Sequence, residues 1–175
     1  MERNRTNAKI FWPVVISFVV IDRFTKIVAE RELYPRFAPH EVIGDWLRWT
    51  LVYNPGAAFG LHLGPYSRWI FLALTVGALV ILTRLYQHTN AGDRWRVLAI
   101  SLVTAGAVGN LIDRIISPPG VVDFIDVGIG NSRWPTFNVA DMAVSTGAFL
   151  LAWVLWGEDR AAARASLAGD TAGSS

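Results

Sequence analysis

The sequence predicts a mainly α-helical integral membrane protein, with four transmembrane helices and a small extracytoplasmic β-sheet on the outer membrane surface. Three observations lead there. Hydrophobic residues make up 53% of the 175 positions and charged ones only 17%, with a mean hydropathy of +0.36, which exceeds what an ordinary soluble domain carries. Apolar runs long enough to cross a hydrocarbon layer of roughly 30 Å recur between charge clusters. After the first of them comes an alternating segment rich in aromatic and branched residues, the pattern of a strand.

The runs span about residues 10–29, 69–86, 97–114 and 140–156. Each is compatible with a helix; Pro13 is expected in the first turn of its span, where a missing N–H does no harm. Arg3, Arg5 and Lys9 ahead of the first run would also suit a cleaved signal peptide, but no small-residue cleavage site follows and a charged cluster does. Residues 1–160 read as a single membrane domain. The remainder, 161–175, is small and polar and is expected to be disordered.

Lysine and arginine in short flanks mark the cytoplasmic side. Arg3, Arg5 and Lys9, then Arg84, Arg94 and Arg96, then Arg160 and Arg164 share one side of a four-span chain, so both termini are expected inside. The connections 30–68 and 115–139 then face outward. The net charge of +2 describes topology. No basic run with interleaved aromatics points to nucleic acid.

The first outer connection contains Trp46-Leu47-Arg48-Trp49-Thr50-Leu51-Val52-Tyr53, the expected strand, with Pro35, Pro39 and Gly44 marking turns. Trp46 and Trp49 suit the interfacial belt. The strand runs into Asn54-Pro55-Gly56-Ala57-Ala58-Phe59-Gly60, where small residues permit close backbone approach and Asn54 offers both a donor and an acceptor. Ala57, Ala58 and Phe59 are expected to form an apolar wall or, alternatively, part of a rigid lid that only shields the spans; from the segment alone, a plain Gly-rich turn out of a strand is the simpler reading.

Polar residues gather at the outer ends of the spans. Asp22 and Lys26 lie one turn apart, as a self-neutralising pair would. Asn110 and Asp113 share a face at i, i+3, with Arg114 adjacent to hold Asp113. Asn138 fits an N-cap and Asp141 the first turn of the last span, where a carboxylate suits the helix dipole. Asp123 and Asp126 interrupt an apolar segment three residues apart: a strand would set them on opposite faces and a helical turn on one. Each intramembrane acid costs roughly 2.5–3.5 kcal/mol on insertion, so clustering on one side argues for a site.

The chemistry available there is narrow. The chain has no cysteine, which removes thiol catalysis and thiolate metal sites. His40, His62 and His88 lie in or beside loops without ligand spacing, so no metal or cofactor is expected. Ser101 and Ser145 have no histidine at their level. Two carboxylates sharing a proton remain, one activating water and the other engaging a carbonyl.

Asp22-Arg23-Phe24-Thr25-Lys26, Asn54 to Gly60, Gly109-Asn110-Leu111-Ile112-Asp113-Arg114, Val121-Val122-Asp123-Phe124 and Phe137-Asn138-Val139-Ala140-Asp141 resemble, in order and spacing, the motifs of the lipoprotein signal peptidase family, signal peptidase II. The resemblance covers roughly residues 10–156. It implies an aspartyl endopeptidase of the bacterial inner membrane, with its active site on the extracytoplasmic side, that cuts prolipoproteins just before the diacylglyceryl-modified cysteine. It implies Asp123 and Asp141 as the catalytic dyad and demotes Asp126. Asn54, Gly56, Asn110, Asp113, Arg114, Asn138 and Ala140, with Asp22 and Lys26, resemble residues that support the site or bind peptide, membrane lipid or globomycin-type inhibitors. Ala105 departs from a glycine often found there and touches only local helix packing.

Two other classes fit the composition. A proton- or cation-coupled carrier would need polar groups continuing toward the cytoplasmic side, and the sequence lacks them. A non-catalytic lipid-binding factor, with the aspartates as caps, would tolerate amides at Asp123 and Asp141.

Overall fold

The computed structural model describes residues 2–58, 61, 62 and 64–172. Phe59 of the expected apolar wall and residues 173–175 of the expected tail lie outside the described residues. Four long helices carry the chain: α1 (Glu2–Glu32), α2 (Ser67–His88), α3 (Arg94–Ile116) and α4 (Val139–Ala172). Three of them, over Ser67–His88, Arg94–Ile116 and Val139–Arg160, are long and apolar enough to cross a membrane. α1, at 31 residues, is long enough too, but Asp22, Arg23 and Lys26 interrupt its apolar stretch.

The helices overrun the apolar runs that signal them. α1 begins at Glu2, which puts Pro13 inside the helix rather than in its first turn. The ring there removes one rung of the hydrogen-bond ladder, and the helix continues on either side of it. α4 likewise continues helical to Ala172, into the segment expected to be disordered.

α3 is the hub and packs against all three other helices. Half of its apolar stretch is buried, against 6% for α2. Small residues make this possible. A Cβ on Gly106 would collide with the Ala140 carbonyl, and one on Gly147 would press on the Ala99 carbonyl and Val103. Close approach of backbones is how helices associate where lipid removes the hydrophobic drive between them.

At one end of the bundle, strands from the two connections form a single antiparallel sheet in the order β1 (His40–Ile43), β2 (Leu47–Asn54), β5 (Val121–Ile129), β6 (Ser132–Arg133). A two-residue ladder, β3 (Ala57–Ala58) with β4 (Leu61–His62), lies beside it in the chain. The expected strand is therefore present one residue further along, and Gly44, at φ +48°, turns the chain between β1 and β2. Trp46 is exposed on this sheet, whereas Trp49 is half-buried and its ring lies 6.0 Å from that of Phe124.

The opposite end is tied by polar contacts. Asn7, buried near the start of α1, donates to the Thr89 and Asn90 carbonyls after α2. Arg96 of α3 pairs with Glu158 of α4. Both termini and the α2–α3 turn thus share one end, and the sheet occupies the other.

Candidate active site

Three hydrogen bonds make the joint that builds the site. The Phe137 carbonyl accepts from the N–H groups of Phe124 and Ile125, at 3.0 and 2.8 Å, and the Phe137 N–H donates to the Ile125 carbonyl at 3.1 Å. The chain entering α4 is therefore laid against β5, and Asn138 comes to rest beside Asp123. The Asn138 side chain then donates to Asp123 Oδ1 at 2.6 Å.

β5 being a strand resolves the spacing of its two acids. Asp123 and Asp126, three residues apart, point to opposite faces. Asp123 is 3% exposed and faces the helices. Asp126 faces the sheet's own basic side chains, accepting from Arg133 Nε at 2.8 Å, Thr50 Oγ1 at 3.0 Å and Arg48 Nε at 3.2 Å.

Asn138 and Asp141 open α4 as a reciprocal cap. The Asp141 N–H donates to Asn138 Oδ1 at 2.9 Å, and the Asn138 N–H donates to Asp141 Oδ2 at 3.1 Å. Such a box satisfies two of the donors a helix N-terminus leaves open. The N–H of Ala140, another of these, reaches Asp22 Oδ1 on α1 at 2.9 Å. Expected capping and expected site are thus one arrangement.

Asn110 of α3 links the two acids. Its Nδ2 donates to Asp141 Oδ1 at 2.7 Å, while its Oδ1 accepts from Asn138 Nδ2 at 3.1 Å. Asn54, at the end of β2, also hydrogen-bonds Asp123, and its Oδ1 accepts the Gly56 N–H at 3.0 Å. Gly56 sits at φ +114°, and a Cβ there would lie 2.9 Å from the Ser67 backbone, so the position requires glycine.

Behind this layer lies a buried charge cluster. Lys26, fully buried, places Nζ 2.8 Å from Asp22 Oδ2, 2.8 Å from Asp113 Oδ2 and 3.0 Å from Asn110 Oδ1. The expected Asp22–Lys26 pair is therefore part of a larger set. Asp113 also accepts from the Val122 N–H at 3.2 Å and from Arg23 at 3.4 Å. Its partners are Lys26, Arg23 and Val122, not the neighbouring Arg114 that sequence adjacency suggested; side chains one residue apart on a helix diverge by about 100°. A buried pair that loses one partner costs about 3–5 kcal/mol, so Asp22, Lys26 and Asp113 stand or fall together.

Arg114 turns elsewhere. Its Nε is buried and makes no hydrogen bond among the described residues, and its guanidinium lies 6.0 Å from the Phe71 ring of α2. Arg68 closes the end of α3, donating to the Arg114 carbonyl at 2.6 Å and the Ile115 carbonyl at 3.0 Å, where a cation suits the helix terminus.

The two strand acids titrate in opposite directions. Burial, reinforced by the negative charge of Asp141, pushes Asp123 up to about 7, against the hydrogen bonds of Asn138 and Asn54. Burial also opposes ionisation of Asp126, but hydrogen bonds from Arg133, Thr50 and Arg48 outweigh it and hold the carboxyl below its ordinary value. A buried acid that keeps its proton near neutrality, linked by amides to a second carboxylate, can supply both a proton and a base.

The chain matches the family described as Signal peptidase (SPase) II over residues 14–157. It belongs to the signal peptidase II family. Among curated relatives, the lipoprotein signal peptidase of Cupriavidus necator is 40% identical over 150 residues, covering 83% of this chain and 82% of that one. That of Burkholderia thailandensis is 40% identical over 140 residues, covering 78% and 82%. The fold is similar to that of a bacterial membrane enzyme solved by the in meso method at 2.3 Å resolution, with a TM-score of 0.74 and 32% identity over 83% of this chain and 87% of that one. A second such structure, at 1.9 Å resolution, gives 0.71 and 33%, covering 81% of this chain and 89% of that one. With its apolar helices, this signal peptidase II family member is a multi-pass membrane protein.

The structure gathers Asp22, Lys26, Asn54, Asn110, Asp113, Asp123, Asn138, Ala140 and Asp141 into one network. Arg23, the Val122 backbone and Gly109 belong to it without having been expected to. A Cβ on Gly109 would lie 2.6 Å from Asp22 Oδ2 and 3.2 Å from the Ala140 side chain. Its sequence signal was the pair of glycines, Gly106 and Gly109, on one face of an apolar helix.

Proposed function

We propose that this chain is an intramembrane aspartyl endopeptidase that removes the signal peptide from bacterial prolipoproteins, cutting on the N-terminal side of the diacylglyceryl-modified cysteine. The observation that carries the reading is the linkage Asp123–Asn138–Asn110–Asp141, which holds one buried acid with a raised pKa beside a second carboxylate. Membership of the signal peptidase II family supplies the substrate class.

In this mechanism the protonated aspartate gives its proton to the scissile carbonyl oxygen. The ionised partner takes a proton from water, whose oxygen adds to the carbonyl carbon. Collapse of the tetrahedral intermediate breaks the C–N bond, and a proton passes to the leaving amine of the lipid-bearing cysteine. Asn54, Gly56 and Arg114 border the dyad and suit the peptide backbone; the unengaged Arg114 Nε offers a donor to a carbonyl. Asn110, Asp113, Asn138, Ala140, Asp22 and Lys26 hold the acids in place.

In the bacterial inner membrane, α1 crosses as well and brings the spans to four, with both termini cytoplasmic and residues 1–160 forming one domain. The exposed apolar residues along it, Trp12, Ile16, Val20 and Phe24, support a lipid-facing side, and its charges at 22–26 turn inward to the cluster. The sheet then lies on the outer surface, where exposed Val42, Ile43, Trp46 and Trp134 suit the interface. Membrane lipid is the medium through which a diacylglyceryl-anchored substrate arrives sideways, and a globomycin-type peptide would compete for the dyad.

The test is cleavage of a diacylglyceryl-modified prolipoprotein by the purified protein in detergent, followed by gel shift. Wild type is expected to cleave and folded Asp123→Asn and Asp141→Asn not to. Substantial turnover in either variant overturns the dyad.

A further inference from the structure

An ammonium carries three N–H donors and no acceptor. All three of Lys26 are accounted for, by Asp22, Asp113 and Asn110 Oδ1. The third is the unusual one, because it spends part of a buried cation on a neutral amide that belongs to the layer in front.

The consequence for Asn110 is steric and electrostatic. Its Oδ1 receives the ammonium at 3.0 Å and Asn138 Nδ2 at 3.1 Å, which occupies both lone pairs. Turned over, Asn110 would aim its own NH2 at a cation and at another NH2. Only one orientation is therefore permitted, and it delivers Asn110 Nδ2 to Asp141 Oδ1 at 2.7 Å.

Asn138 is fixed by the same logic. Its Nδ2 faces the Asn110 oxygen, the Val122 carbonyl at 3.2 Å and Asp123 Oδ1, and its Oδ1 accepts the Asp141 N–H. One buried charge on α1 thus dictates the sense of Asn110 on α3, which together with the Val122 carbonyl and the Asp141 N–H fixes Asn138 at the cap of α4, and each amide presents an N–H to one of the two acids. Hydrogen bonds that begin at a cation also polarise those that follow.

We propose that Lys26 is a positioning residue for both aspartates, acting through the amides of Asn110 and Asn138, and that it sets the turnover of the site rather than its binding of substrate. This rests on Asp123 and Asp141 being the dyad. The charged groups gathered around them are Asp22, Arg23 and Lys26 from α1, and Asp113 and Arg114 from α3; Asp126 on β5 faces away. The Lys26 charge also opposes the rise of the Asp123 pKa.

The experiment compares wild type, Lys26→Met and the charge-balanced pair Asp22→Asn/Lys26→Met, which leaves Asp113 with Arg23 and keeps an acceptor for the Ala140 N–H. Each full chain is purified in detergent, its folded fraction measured, and kcat and KM determined on a diacylglyceryl-modified prolipoprotein across pH. Loss of the fixed donors is expected to lower kcat per folded molecule roughly 100-fold, with KM within about threefold of wild type and the alkaline limb of the profile moved to higher pH. Wild-type kcat and profile in folded variants overturns the proposal, as does a loss that vanishes when activity is divided by folded protein.

Where neither variant folds, the side-chain NH2 signals of Asn110 and Asn138 in 15N-labelled wild type decide it. Slow exchange and fixed orientation are expected; rapidly exchanging, averaged signals overturn it. Asp123→Asn and Asp141→Asn run alongside: activity in those sinks the dyad, whereas inactive dyad variants beside a fully active Lys26→Met sink only the positioning role.

Discussion

Asp123 and Asp126 share a strand and differ by three positions, and the two faces of β5 have made opposite use of them. On the helix side, burial and then the negative charge of Asp141 raise the Asp123 pKa to about 7, against the amide hydrogen bonds of Asn138 and Asn54. On the sheet side, Asp126 meets Arg133, Arg48 and Thr50, and its pKa falls. Amides fix a carboxyl's position while leaving its proton available; guanidinium groups fix the position by keeping the proton off. The difference teaches that burial raises an acid's pKa where its partners are amides and is outweighed where they include guanidinium groups.

The largest effect expected from breaking this contrast is on cleavage. Asp123→Asn should lower turnover by at least about 10³-fold in the gel-shift assay, whereas Asp126→Asn should leave it within about fivefold of wild type. A comparable loss in both would erase the distinction between the faces.

The pH dependence sharpens it. Activity should fall as pH rises through about 7, because Asp123 then ionises beside Asp141 and the shared proton is lost. Stability should respond with opposite signs. Asp123, whose folded pKa is raised, binds more protons folded than unfolded, so it costs stability increasingly from about pH 4 up to about 7. Asp126, whose folded pKa is depressed, contributes stability above about pH 4 that is lost as pH falls through its folded value. Thermal unfolding in detergent should therefore find Asp123→Asn more stable than wild type at pH 8, with the gain vanishing near pH 4. Asp126→Asn should be less stable at pH 8, by about 1–3 kcal/mol.

A smaller effect is expected from Gly109→Ala, which removes neither acid but presses on Asp22 and Ala140. Overpacking of this kind costs about 1–3 kcal/mol, and because the Ala140 N–H is held by Asp22 the start of α4 should shift, lowering kcat about tenfold. The smallest is Thr50→Val on the architectural face. It removes one of the donors to Asp126 and should cost about 1 kcal/mol with no change in cleavage.

The parts of the molecule legible in its sequence are those with a local cause. Apolar runs locate α2, α3 and α4 because hydrocarbon length demands them, and alternation locates β2. Helix ends were less legible: α1 and α4 run on through polar residues, so hydropathy marks where the membrane could be and not where the helix stops. β1 and β6 are too short to carry a pattern, and only pairing with β2 and β5 makes them strands. In the site, Asp22 with Lys26 and Asn138 with Asp141 could be paired from spacing, since both lie within a single turn. Asp113 could not, because its partners Lys26 and Arg23 come from a helix some 90 residues earlier. The facing of Asp123 and Asp126 depended on whether their segment was strand or helix, which the spacing alone left open.

The hydrogen bond between the Ala140 N–H and Asp22 joins residues 118 positions apart, from the first helix to the last. A chain leaving the ribosome has its first carboxylates in place long before Asp141 exists. The site is therefore a property of the finished molecule: no partly inserted precursor can assemble it, and a hydrolase that works among newly exported polypeptides is silent while it is itself one of them.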